Sequence, residues 1–177
     1  MTDTLAPSAY GVVTEPATVR LQRLLPGPIE KVWSYITESE LRGKWLATGH
    51  MDLRVGGKVD LVWRNDDLTD HREERPAGFS EEHRQESLIT RLDPPHLLAF
   101  GWDGGSEVTF ELVPKGSEIL LTITHSKLPN RSQMLGVSAG WHAHLDVFEA
   151  RLRGEELPFF WRNWAALKAE YDKRIPQ

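Results

Sequence analysis

Cysteine is absent from the 177 residues, which removes every disulfide framework and every thiolate-based metal or redox site. Long apolar runs are missing as well. None approaches the roughly 18 residues of a membrane span, and Met1 to Tyr10 has neither the basic start nor the apolar stretch of a signal peptide. There is no surplus of positive charge: 21 Lys and Arg face 26 Asp and Glu, a formal charge of −5, so neither nucleic acid nor an anionic membrane surface is expected as a partner. Absent too are a G-x-S-x-G nucleophile motif, a phosphate-cradling Gly-rich loop followed by Lys, a dinucleotide fingerprint, an internal repeat and a Ser/Gly linker. What is present, 40% hydrophobic and 27% charged residues, suits one ordinary domain in the cytoplasm. A chain of this length buries about 70% of its unfolded surface and needs no staple.

Residues 1–16 combine Pro7, Gly11 and Pro16 with small and polar neighbours and show no periodicity, so a loose arm is expected there. Strand alternation starts at Ala17, with Val19 and Leu21 against Arg20 and Gln22, and stops at Pro26-Gly27-Pro28. Ile29, Val32, Trp33 and Ile36 then share one helical face, and Thr37 with Glu40 reads as a capping box opening a second short helix that carries Leu41 and Trp45.

From Met51 to His125 the pattern is β. Gly56-Gly57 predicts a two-residue hairpin between a strand ending near Val55 and a strand with Val59, Leu61 and Trp63. Asp66 to Glu82 is charged and turn-forming and reads as a long exposed loop, with His71 and His83 as solvated surface. Alternation returns over Leu88 to Leu92, over Leu98, Phe100 and Trp102, over Val108, Phe110 and Leu112, and over Ile119, Leu121 and Ile123, with tight turns that make an antiparallel meander. After Pro129 the period becomes about 3.6. Met134, Val137, Trp141, Leu145, Phe148 and Leu152 draw one stripe along a helix that Gly154 can end, which leaves Glu149 and Arg151 facing water. A further amphipathic helix opens at Pro158 with Phe160, Trp164, Leu167 and Tyr171. This order is α+β: residues 17–155 form the domain, with a curved antiparallel sheet of six to seven strands around the long helix, and 156–177 form a helical extension packed on it.

Several of these pieces resemble a known family. Pro28-Ile29-Glu30-Lys31-Val32-Trp33, Trp45, Val55-Gly56-Gly57-Lys58, Leu92-Asp93-Pro94-Pro95, Val108-Thr109-Phe110-Glu111-Leu112, Leu121-Thr122-Ile123-Thr124-His125 and Gly140-Trp141 stand in the order of the START-like, birch-pollen-allergen-like (SRPBCC) helix-grip superfamily. Within it they are similar to the family named for the activator of the heat-shock-protein-90 ATPase, over about Thr18 to Arg153. The charged loop is longer than that family usually carries, and the helix from Pro158 is shared by a subgroup. The resemblance implies a cavity between sheet and long helix, in which superfamily members hold lipids, hormones and polyketides. It carries no catalytic motif onto this chain. The eukaryotic namesake binds a chaperone, which makes a chaperone the alternative partner.

On that implication the cavity lining is expected from Trp63, from Leu98, Phe100 and Trp102, from Phe110, from Leu121, Ile123 and His125, and from Val137, Trp141, Leu145 and Phe148 on the helix. His125 continues the inward face of Ile119, Leu121 and Ile123. It reads either as a core histidine bonded to a backbone carbonyl or as the polar group that orients a ligand. Asp103, Glu86 and Glu107 are the carboxylates near enough in the pattern to pair with it for acid/base work in a cyclase- or hydrolase-like alternative. Among seven His, His142 and His144 lie two apart, about 200° around a helix, so no metal site is expected. No cofactor is expected either. The preferred reading is non-catalytic binding of a small hydrophobic or aromatic molecule, with a homodimer expected because the apolar stripe from Pro158 to Tyr171 must be covered.

Overall fold

The computed structural model describes residues 8–177. Strands β1 (Val12–Glu15) and β2 (Thr18–Pro26) are followed by two short helices, α1 (Ile29–Thr37) and α2 (Ser39–Arg42). Then come β3 (Lys58–Trp63), β4 (His83–Asp93), β5 (Leu97–Gly101), β6 (Glu107–Lys115) and β7 (Glu118–Ser126), and finally α3 (Arg131–Arg153) and α4 (Phe160–Arg174). The strands form one seven-stranded antiparallel sheet in the order β1-β2-β7-β6-β5-β4-β3. Alternation decides which side is core: in β7, Ile119, Leu121, Ile123 and His125 are buried while Leu120, Thr122 and Thr124 are less so. Helix α3 crosses the inner face. Asn130 accepts the Gln133 N–H at 2.9 Å to start it, and Gly154, at φ 65°, ends it.

Five expectations change. The part of the arm that lies within the described residues carries β1, an exposed edge strand held by backbone pairing with β2, which needs no apolar alternation; residues 1–7 lie outside the described residues. Thr37 caps nothing: its hydroxyl donates to Trp33 O at 3.0 Å, and the N-cap position of α2 is Glu38, which makes no side-chain cap bond. Met51 to Val55 is no strand. Only Met51 bridges to Val59, and Gly57 sits so close to the Asp52 carbonyl that a Cβ would lie 1.9 Å from it. Strand β4 starts at His83, five residues before Leu88, with Gln85 and Ile89 turned inward. Finally, α3 is buried on two sides. From Ser138 to Ala150 only Gly140, Asp146 and Glu149 are more than marginally accessible, and Glu149 and Arg151 are half-buried, because α4 packs on the face opposite the sheet.

The apolar side chains of α4 find their cover within the chain. Phe160, Trp161, Leu167 and Tyr171 are buried against α3 and the segment before β4. These four side chains need no second copy of the chain to cover them. No helix among the described residues is long and apolar enough to cross a membrane.

Candidate functional site

The segment between β3 and β4 is a strap, not a solvated loop. Glu73 accepts the backbone N–H groups of Trp161 (3.1 Å) and Arg162 (2.9 Å), placing a carboxylate on the orphan donors and positive end of α4. Asp66 accepts from Trp161 Nε1 at 2.8 Å and pairs with Arg75. His71, far from being plain surface, stacks on Phe159 at 3.7 Å and bonds Leu157 O through Nε2. Leu68 and Thr69 are buried. Phe79 lies 4.9 Å from the Trp161 ring and 4.8 Å from that of Trp164.

Behind this strap the layers part. A cavity of about 440 Å³ opens between the N-terminal half of α3, the β3–β4 end of the sheet, the strap and α4. Its walls are Trp63, Trp102, Phe79, Phe160, Trp161 and Trp164. Its floor on α3 is Gly136 and Gly140, one turn apart, where an added Cβ would meet nothing within 4 Å. A smaller recess of about 140 Å³ shares Trp63, Trp102, Gly136, Gly140 and His144 and reaches inward to Leu46, Val137 and Trp141. A groove of about 520 Å³ over Asp146, Glu155, Glu156 and Arg162 has the larger volume, but it is shallow and open to water. Glycine in a helix interior costs about 1 kcal/mol against alanine, so two glycines facing one void keep space at the helix's expense.

Four of the twelve residues expected to line a cavity do so: Trp63, Trp102, Val137 and Trp141. Leu98, Phe100, Phe110, Leu121, Ile123, Leu145 and Phe148 line neither void; they form the solid sheet–helix core, where Phe148 stacks on Trp45 at 4.3 Å and Phe100 on Phe110 at 5.8 Å. The alternation of a strand tells inward from outward, but not at which end of the interior the layers separate.

His125 is wholly buried and lines neither void. Trp141 Nε1–H donates to His125 Nδ1 at 3.0 Å. An indole nitrogen only donates, so Nδ1 carries the lone pair and the proton of the neutral ring sits on Nε2. Nε2–H then donates to Ser106 Oγ (3.0 Å), whose hydroxyl donates to Asp103 O (2.9 Å). Burial pushes the imidazole down to about 4, so it stays neutral. Ser106 is not activated by this ring, because the nitrogen facing it donates. The carboxylates weighed as partners are engaged elsewhere: Glu107 accepts from Thr90, Glu86 pairs with Lys58, and Asp103 reaches His83 at the exposed rim. His125 thus positions the indole that forms the inner wall of the recess.

His142 and His144 diverge. His142 meets Tyr171 Oη at 2.8 Å, and Asp146, which also pairs with the buried Arg23, on the α4 side. His144 Nδ1–H donates to Trp45 O at 2.8 Å, which leaves Nε2 as an acceptor on a residue that lines the cavity. Burial lowers both to about 4. Two further polar groups of the lining were not read from sequence. Gln85 is 6% exposed, and its Nε2 has no hydrogen-bond partner among the described residues; the same holds for Asn65 Oδ1. A glutamine in the inward phase of a strand, and glycines one turn apart in an otherwise good helix, were the available signals.

Residues 26–153 match the family described as activator of Hsp90 ATPase homolog 1-like protein. Among solved structures, a protein from Bordetella parapertussis is 34% identical over 99% of this chain and 95% of that one, with a TM-score of 0.80. CalU16 from Micromonospora echinospora is 24% identical over 95% of this chain and 96% of that one, TM-score 0.67. An AHSA1-like protein from Aeromonas hydrophila is 20% identical over 76% and 92%, TM-score 0.59. The last two share the fold. No curated protein matches the chain.

Proposed function

The chain belongs to the family described as activator of Hsp90 ATPase homolog 1-like protein, and from that premise we propose that it binds a small, largely apolar or aromatic molecule in the cavity behind the strap, without converting it chemically. The observation that carries the reading is a void of about 440 Å³, walled by aromatic rings and kept open on its helical side by Gly136 and Gly140. A docking module like the family's namesake has no need of such a space, which favours a small molecule over a chaperone as the partner. The catalytic alternative lacks support from His125, whose two nitrogens are both committed inside the core.

The test is titration of the full chain with a hydrophobic fluorescent probe. Trp63, Trp102, Trp161 and Trp164 all face the cavity, so stoichiometric binding should quench or shift Trp emission. Absence of saturable binding by any hydrophobic probe would remove the reading.

A further inference from the structure

We infer that the cavity selects a neutral, flat aromatic molecule bearing a carboxamide-like group, one that both donates and accepts hydrogen bonds, seated on the side-chain amides of Gln85 and Asn65. The inference rests on the binding reading above and adds the chemical class of the ligand. Its first ground is that Gln85 and Asn65 both line the cavity and each carries a buried polar atom without a hydrogen-bond partner among the described residues, a donor at Gln85 Nε2 and an acceptor at Asn65 Oδ1. A buried polar atom without a partner is costly, and an occupant that accepts from one and donates to the other removes both deficits. Because a primary amide shows a donor at one end and an acceptor at the other, the match survives when both side chains exchange their ends together, since the ligand's amide turns over with them.

The second ground is charge. Among the described residues the lining holds no Lys or Arg, and its carboxylate, Asp103, sits at the rim with 66% of its side chain exposed, 3.9 Å from His83. His144 contributes an acceptor nitrogen, and burial holds its ring neutral at ordinary pH. An anionic group entering this space would lose its hydration and meet two acceptors and no cation. The third ground is shape. Trp63 and Trp102 meet edge to face at 71°, and Phe79 and Trp164 at 86°, so the walls present flat ring faces on which a planar molecule stacks.

Three matched compounds test this: 2-naphthamide, 2-naphthoate and 2-methylnaphthalene, each titrated at pH 7 into the full chain and into Gln85→Leu, with Trp emission and the Gln85 side-chain amide signals in an ¹⁵N–¹H spectrum as readouts. On the native chain, 2-naphthamide should bind at least about tenfold more tightly than 2-naphthoate and should shift the Gln85 side-chain signals. In Gln85→Leu its affinity should fall about tenfold, the scale of one hydrogen bond, while that of 2-methylnaphthalene stays within about twofold. Equal binding of amide and carboxylate by the native chain, or equal weakening of amide and hydrocarbon by the substitution, overturns the selectivity and leaves the binding reading standing. Failure of all three compounds to bind the native chain overturns both.

Discussion

The indole N–H of Trp141 lies 3.0 Å from Nδ1 of His125, inside the sheet–helix core. That contact fixes the imidazole as the Nε2–H tautomer and starts a chain of donors running from Trp141 through His125 and Ser106 to the Asp103 carbonyl. Each link is satisfied in one direction only, so the chain behaves as a strut beneath the cavity wall.

Removing the first donor should therefore cost more than volume. Trp141→Phe leaves Nδ1 buried and unpaired, and the expected loss of stability is about 1–3 kcal/mol for the orphaned acceptor. Urea denaturation of the variant measures the loss. A long-range ¹⁵N–¹H spectrum of the native protein should show the His125 proton on Nε2, and a proton on Nδ1 would contradict the assigned chain.

Burial holds His125, His142 and His144 near 4, against about 6.5 for an unfolded histidine. Between these values the unfolded chain binds protons that the folded chain refuses. The contribution to stability is complete above about pH 6.5 and is lost as the pH falls toward 4. Each histidine costs about 1.4 kcal/mol per pH unit within that window. Unfolding free energies measured from pH 7 down to pH 4.5 should steepen accordingly. His144→Gln should flatten the slope by about one proton.

The strap should loosen from one carboxylate. Glu73→Ala leaves the Trp161 and Arg162 amides without their acceptor and removes a negative charge from the start of α4, for about 0.5–2 kcal/mol. Hydrogen exchange should speed up at those two amides, while the α3 core keeps its protection.

These features mark where the sequence was informative and where it was not. The meander from β5 to β7 and both ends of α3 were legible, because alternation, tight turns, the change of period after Pro129 and Gly154 act locally. Strand β1 was not, since an edge strand with all four residues exposed is held by backbone bonds that leave no pattern in side chains. The strap read as solvated because Asp66 and Glu73 find their partners some ninety residues away, on α4. His125 was read as pointing inward, which it does, but it lines neither void and bonds no backbone carbonyl: its partners come from register and helix phase together, Ser106 just before β6 and Trp141 on α3. The cavity was expected too deep, among Leu121, Ile123 and Leu145, where the packing is solid. Gly136 and Gly140 were the residues that marked its true position.

At Gly140, stability and space trade against one another. Gly140→Ala adds a methyl group into open space on a long helix and should raise stability by about 1 kcal/mol. Thermal unfolding of the variant checks this, and destabilisation would show that the position is packed.

The most direct measurement compares probe binding by the native chain and by Gly140→Leu, with their thermal unfolding recorded alongside. The account predicts saturable one-to-one binding with quenched Trp emission in the native protein, and loss of that binding in a variant at least as stable, since the leucine occupies the floor of the cavity. Equal binding by a folded Gly140→Leu chain would place the probe elsewhere and contradict the assignment of this cavity as the binding site.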